Sequence, residues 1–214
     1  MVGAPGAGKG TQASLLAERL GLPHVASGEL FRNNIREQTA LGRKASSYIE
    51  RGALVPDPLT VQLIADRLAQ PDAADGVILD GFPRTRPQAE ALDSMLARRG
   101  GRVAGALYVD VDRDEIMRRL SGRWLCSESE DHVYHATTHP PKTAGRCDID
   151  GAPLYQRDDD QPATVRARLD QQLPPMYEVI DYYADRGVLS AVDGDRPITE
   201  VTDSLMRAIA QPAS

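Results

Sequence analysis

Only two cysteines occur in the chain, Cys126 and Cys147. Two are too few for a disulfide framework and leave open metal ligands, a single bridge or inert core thiols. The chain has no excess of positive charge. Its 25 Lys and Arg stand against 31 Asp and Glu, a net charge of −6, which argues against a nucleic-acid protein that relies on a basic surface. Small phosphorylated ligands held by a local arginine cluster remain open. No stretch approaches the roughly 20 apolar residues needed to span a bilayer, and no charged segment followed by an apolar one precedes the first motif. A cytoplasmic protein is therefore expected, with neither membrane nor nucleic acid as partner. Internal repeats and low-complexity segments are also missing. The 214 residues suit one domain of ordinary size with an inserted module.

What is present begins at once. "MVGAPGAGKGTQ" contains a G-x-x-x-x-G-K string ahead of a helical pattern. Glycines at 3, 6, 8 and 10 let successive N–H groups point into one concavity, and the following helix dipole favours anions there. Lys9 adds a charge for phosphates. The hydroxyl that normally follows the lysine and holds Mg²⁺ is replaced by Gly10 and shifted to Thr11. No N-K-x-D string follows, which weakens a guanine-nucleotide switch reading.

Strand and helix signals then alternate, which predicts α/β architecture with a parallel sheet covered by helices. Leu15, Leu16, Arg19 and Leu20 continue a helix that Gly21 stops. Helices are expected over "SGELFRNNIREQ" with Ser27 as N-cap, over "RKASSYIERG" ending at Gly52, and over "DPLTVQLIADRLAQ". "GVILDGFP" reads as a buried strand ending at Asp80, "RPQAEALDSMLARRG" as a helix and "AGALYVDV" as a second buried strand. From about 122 to 160, Cys, His, Pro, Gly, Ser and Asp replace periodic apolar positions, the mark of an inserted lobe. Two helices, "ATVRARLDQQ" and "PPMYEVIDYYADRG", a strand "VLSAVD" and a helix near 197–210 complete the chain.

"GAPGAGKGTQ", "SGELFR", "RGALVPD" and "ILDGFPRTRPQAEAL" follow in the order, and at about the spacing, of the adenylate kinases, and together with the long lid the chain resembles the bacterial long-lid form of that nucleoside monophosphate kinase family. The resemblance implies a P-loop nucleoside triphosphate hydrolase-like three-layer fold. Its core would be 1–26, 56–121 and 161–214, with a helical insert for the monophosphate at 27–55 and a small β-rich lid at 122–160. It implies reversible, Mg²⁺-dependent phosphoryl transfer from ATP to AMP, giving two ADP, by a monomer. Gly6, Ala7, Gly8, Lys9, Gly10, Thr11, Arg119, Arg123, Tyr134, His135 and Arg196 would bind ATP. Ser27 and Gln88 would contact the adenine of AMP, Arg32 and Arg84 its phosphate, and Ile49, Leu54, Val55 and Gly81 would line its pocket. Arg157 and Arg168 would embrace the transferring group, Asp80 would orient Mg²⁺ through water, and Lys9, Arg84, Arg123, Arg157 and Arg168 form the catalytic set. Ser27 and Glu29 stand where the family commonly has threonine and aspartate, changes that keep the chemistry.

The residue types fit those roles. Arginine offers a planar fork to phosphate, and glutamine both donates to and accepts from a base edge. Arg84 directly follows a strand end, where ligands of such sheets bind. Surface salt bridging with the "RDDD" aspartates is the plainer reading of these arginines. A phosphate monoester is largely ionised at neutral pH, so no catalytic base is required. The task is to align two anions, neutralise charge and exclude water, and segments 27–56 and 122–160 are the natural closing lobes.

Many lids of this family hold a structural zinc on C-x₂-C and C-x₂-C or C-x₂-D pairs. Here Cys147 and Asp150 preserve the second pair, whereas Ser129 occupies the second position of the first, and a hydroxyl is a poor zinc ligand. One inserted residue brings His132 toward that corner, giving Cys126, His132, Cys147 and Asp150 as the expected set, with Ser129 as the alternative to His132. A metal-free lid held by hydrogen bonds is the competing reading. His24 and His139 carry no assigned role. The family also places about five more, mostly apolar residues before the loop, in a buried central strand. With only Met1 and Val2 ahead of Gly3, either a misassigned start or a protein weaker by several kcal/mol is expected. GTP as donor, another monophosphate as acceptor, and a non-catalytic nucleotide-binding regulator stay as alternatives.

Overall fold

A computed structural model describes residues 1–129 and 132–210. Its elements in chain order are α1 (Lys9–Leu20), β1 (His24–Ala26), α2 (Ser27–Arg36), α3 (Ala40–Glu50), α4 (Asp57–Leu68), β2 (Ile78–Asp80), α5 (Arg86–Ala97), β3 (Ala106–Asp110), α6 (Arg113–Ser121), β4 (Arg123–Cys126), β5 (Val133–His135), β6 (Leu154–Tyr155), α7 (Pro162–Ala184), β7 (Leu189–Asp193) and α8 (Ile198–Ala210). β1 runs parallel to β2 with His24 opposite Ile78, and β3 parallel to β7 with Ala106 opposite Leu189. Residues 1–2 lie between the pairs. Val2 N donates to Leu107 O at 2.8 Å, Val109 N donates to Val2 O at 2.9 Å, and Met1 N donates to Leu79 O at 2.7 Å.

Successive β3 side chains point to opposite faces, and each face meets its own helices. Ala106 packs with residues of α5, α6 and α7, while Leu107 packs with Leu16 of α1 and Val201 and Leu205 of α8. The result is a three-layer α/β fold with a parallel sheet, as expected from the alternation of signals.

Local chemistry places the ends of the elements. Gly21, in the left-handed region at φ 65°, closes α1 with its N–H on the last carbonyls. Thr39 and Thr85 cap α3 and α5 through their hydroxyls, accepting from Gly42 N and Gln88 N. α3 therefore starts three residues earlier than "RKASSYIERG" suggested. Ser27 is not the cap of α2. It is that helix's first residue, and its hydroxyl instead donates to Gly81 O at 2.6 Å. β2 is half-buried, because Asp80 at its end faces a cleft.

The two helices expected after residue 162 are one. α7 runs through Pro174 and Pro175, whose missing N–H groups free the carbonyls of Asp170 and Gln171, both on exposed residues where water can satisfy them. Val165, Leu169, Gln172, Met176, Val179 and Tyr183 form an unbroken buried stripe, and this packing outweighs the local propensity.

Residues 122–160 form a separate antiparallel sheet of order β5-β4-β6, with Arg123 opposite His135 and Cys126 opposite Leu154. Its own small core is Cys126, Tyr134 and Cys147.

Candidate functional site

A cleft of about 950 Å³ opens at the carboxyl ends of the parallel strands, where ligands of open α/β sheets bind. Its floor is the glycine loop. Gly6 and Gly8 have φ of 83° and 88°, and a Cβ on Gly6 would stand 2.6 Å from Leu120 Cγ, so a side chain there is excluded on both counts. Gly8 precedes α1, and the free amides of the first helical turn open on the cleft. Lys9 Nζ donates to Ala4 O at 2.7 Å, folding back over the loop. Burial, reinforced by Arg84, Arg168 and Arg123 and opposed by Asp80, draws the Lys9 ammonium down to about 8.

Across the loop stands Asp80. Burial alone would raise its carboxyl, but His24 and Lys9 beside it outweigh that and hold it at about 2. His24 Nε2 lies 3.6 Å from Asp80 Oδ2, an electrostatic contact longer than a hydrogen bond.

The cleft gathers arginines from five separate parts of the chain, around residues 32, 84, 118–123, 157–168 and 196. Arg84 donates through Nε to Gly81 O at 2.7 Å and through Nη1 to Gln172 Oε1 at 3.0 Å, and burial together with Arg168 lowers it to about 10. Arg123 forms a fork on Asp160 at 2.8 and 2.6 Å. Arg168 Nη1 lies 3.0 Å from Asp159 Oδ2 and 3.5 Å from Asp160 Oδ1. Arg119 is held by Glu115 at 2.7 Å, Gly194 O at 3.0 Å and Asp195 at 3.3 Å, and Arg196 pairs with Asp193 at 3.1 Å. Arg123 and Arg168 thus pair with aspartates of the "RDDD" segment, of which Asp160 is buried.

Of the residues singled out from sequence, Gly6, Ala7, Gly8, Lys9, Gly10, Thr11, Arg32, Asp80, Gly81, Arg84, Arg119, Arg123, Tyr134, His135, Arg157, Arg168 and Arg196 line this one cleft. Ser27, Ile49, Leu54, Val55 and Gln88 do not. Ser27 and Gln88 are 2% and 1% exposed with their polar atoms bonded within the protein, and Ile49 and Val55 pack with Phe31 and Ala45. Sequence reasoning passed over four participants. His24 and His139 line the cleft, His139 stacked on Tyr134 at 5.6 Å; Gln172 bridges Arg84 and Gly52 O, the latter at 2.7 Å; Glu115 grips two arginines. Only Glu115 left a trace, its i,i+4 spacing to Arg119.

In the lid, one ligand atom from each of Cys126, His132, Cys147 and Asp150 lies within 4.8 Å of the others. Asp150 Oδ2 is 3.3 Å from Cys126 Sγ and 3.1 Å from His132 Nδ1, which is 3.4 Å from Cys147 Sγ. Glu128 N donates to Cys126 Sγ at 3.4 Å. The Ser129 carbonyl accepts from His132 N at 3.2 Å.

A helix-capping glycine loop, a lysine on that loop and a ring of arginines at the carboxyl edge of a parallel sheet define a P-loop phosphotransferase. The adenylate kinase family model matches residues 1–188. Over 209 residues the chain is 47% identical to the adenylate kinase of Streptomyces avermitilis, covering 98% of this chain and 95% of that one. It is 48% identical to that of Acidothermus cellulolyticus over 98% and 96% of the two chains, and 46% identical to that of Methanocella arvoryzae over 100% and 98%. The chain belongs to the adenylate kinase family and is a nucleoside monophosphate kinase. No helix among the described residues is long and apolar enough to cross a membrane.

Proposed function

We propose that the cleft carries out reversible, Mg²⁺-dependent transfer of the γ-phosphoryl group from ATP to AMP, giving two ADP. The observation that carries this reading is the convergence of Lys9, Arg84, Arg119, Arg123, Arg157 and Arg168 on one cleft over the glycine loop. Such a density of cations on an acidic chain calls for polyanionic ligands. Loop amides, Lys9 and Arg119 receive the donor phosphates, with Arg196 also on the ATP side. Arg32 and Arg84 hold the acceptor phosphate, while Arg123, Arg157 and Arg168 spread over the transferring group and offset its charge in the transition state. The acceptor oxygen is already ionised, its second pKa being about 6, so alignment replaces base catalysis.

Two metals suit the residues present. Asp80, kept ionised and facing the cleft, is an oxygen donor of the type that holds Mg²⁺ through water. Bound there, the ion would screen the donor phosphates and set their geometry. The lid group of two thiols, one imidazole and one carboxylate is a sound structural zinc set, with His132 in the corner that Ser129 leaves. Segments 27–55 and 122–160 act as lobes closing on the core, which excludes water from the reaction; Ser27, Ile49, Leu54, Val55 and Gln88 belong to the acceptor side of that closed state. A cytoplasmic monomer completes the reading.

The test is ADP formation by purified protein with ATP and Mg²⁺, comparing AMP, GMP, UMP and CMP as acceptors. AMP-dependent turnover that Arg84→Ala abolishes is expected. Folded, ATP-binding protein that phosphorylates no monophosphate would instead establish a non-catalytic regulator, and a different preferred acceptor or GTP as donor would revise the substrate.

A further inference from the structure

The Gln88 carboxamide is 1% exposed and held at both ends. Arg84 N donates to its Oε1 at 2.8 Å, and its Nε2 donates to Asp57 Oδ1 at 2.7 Å. The other Asp57 oxygen, Oδ2, accepts from Thr85 Oγ1 at 3.0 Å, and Asp57 opens α4, where the helix dipole favours a carboxylate. A carboxamide is nearly the same shape when its oxygen and nitrogen are exchanged, so only its partners decide which is which. Here both partners are unambiguous. A backbone N–H can only donate and an ionised carboxylate can only accept, so each end dictates the same orientation.

We propose that Asp57 is a specificity-positioning residue: by anchoring Gln88 Nε2, it commits the carboxamide to reading a 6-aminopurine and rejecting a 6-oxopurine. Each Gln88 polar atom keeps one further capacity, a lone pair on Oε1 and an N–H on Nε2. The adenine edge places an amino donor beside a ring-nitrogen acceptor, which matches that order. Hypoxanthine places a carbonyl acceptor beside a ring N–H donor, which matches the flipped amide. A site built to hydrogen-bond one pattern rejects the other strongly, because a mismatch leaves buried polar groups unpaired. Flipping Gln88 in this protein sets its oxygen against the Asp57 carboxylate and its NH₂ against the Arg84 N–H, so the wrong orientation is doubly penalised. This inference rests on the reading of Gln88 as a contact to the acceptor base.

The experiment measures Kd and kcat/KM for AMP and IMP on the full chain and on Asp57→Asn, Asp57→Glu and Gln88→Ala. In Asp57→Asn the new amide can donate or accept, releasing the constraint. The AMP-to-IMP ratio is expected to fall about tenfold or more, with Asp57→Glu restoring most of it, since a merely structural loss weakens both ligands alike. If Asp57→Asn does not fold, Asp57→Ser reads the same ratio. Gln88→Ala separates the two levels of argument. A ratio collapsed by Gln88→Ala but kept within about twofold by Asp57→Asn overturns the role of Asp57, whereas a ratio indifferent to Gln88→Ala overturns the base-contact reading itself and the inference with it.

Discussion

Asp160 holds Arg123 in a two-pronged contact of 2.8 and 2.6 Å, with only 1% of the aspartate side chain exposed. Arg168 approaches the same carboxylate at 3.5 Å. Two cations proposed to meet the phosphates thus share one buried anion, and on that proposal a bound phosphate would take the place of a carboxylate partner. Removing the anion takes away the carboxylate that Arg123 rests on, while Arg168 keeps Asp159, and breaking such a buried pair costs about 3 kcal/mol. Asp160→Ala is expected to lower the Tm of the nucleotide-free protein by roughly 6–12 °C and to lower it less when ATP and AMP are both present. An unchanged Tm without nucleotide would show that the pair contributes no net stability.

Lys9 gives the free enzyme a pH signature. Its folded value of about 8 lies below the ordinary 10.5, so between those limits the unfolded chain binds more protons than the folded one. Its contribution to stability therefore rises with pH from about 8 to 10.5, and below 8 the full penalty of burying the ammonium is present. Phosphates restore the charged form. ATP binding at pH 8.5 is expected to take up a fraction of a proton, seen by calorimetry as a binding enthalpy that varies with the buffer's ionisation heat. Proton release, or no exchange at that pH, would contradict the assignment.

The lid cluster predicts one tightly held zinc per chain, measured by elemental analysis of purified protein. His132→Ala is expected to lose the metal and lower the Tm, whereas Ser129→Ala keeps both, because a neutral hydroxyl adds little as a ligand. Chelation should lower the wild-type Tm by several degrees. Zinc retained by His132→Ala and lost by Ser129→Ala would exchange the two ligands, and a metal-free protein indifferent to chelator would establish a lid held by hydrogen bonds alone.

Tyr183 is 1% exposed, and its hydroxyl has no hydrogen-bond partner among the described residues. Burial pushes its ionisation upward, but the larger consequence is the desolvated hydroxyl. Tyr183→Phe removes it while keeping the ring against Tyr182, with which it forms an edge contact at 5.1 Å. The variant is expected to be as stable as wild type or more stable by about 1 kcal/mol, read from denaturant midpoints; a clear loss of stability would reveal a partner for the hydroxyl.

Some of this was written locally and some was not. The phosphate loop, the helix stop at Gly21 and the strand-helix alternation are legible because each depends on a few neighbouring residues: a glycine that reaches positive φ, or an apolar spacing with the period of its own element. The arginines were legible only through their flanking words, since "DGFPR" and "RDDD" describe positions along the chain and not which carboxylate each guanidinium will meet. Ser27 was misread as a cap because its partner, Gly81, lies 54 residues away. Pro174 and Pro175 were misread as a break because the buried stripe of α7 exists only once β3, α5 and α6 are packed against it.

The sequence by itself determined the architecture, the phosphate-binding loop and the lid's donor types, since these follow from backbone preference, periodicity and ligand chemistry. Tertiary structure alone decided that Arg123 rests on Asp160, that Gln172 links Arg84 to Gly52, and that Asp57 orients Gln88. Hydrogen bonds and ion pairs act across a few ångströms of space, and the contacts that join these residues span from 31 to 120 positions of chain, a separation over which no local pattern carries information.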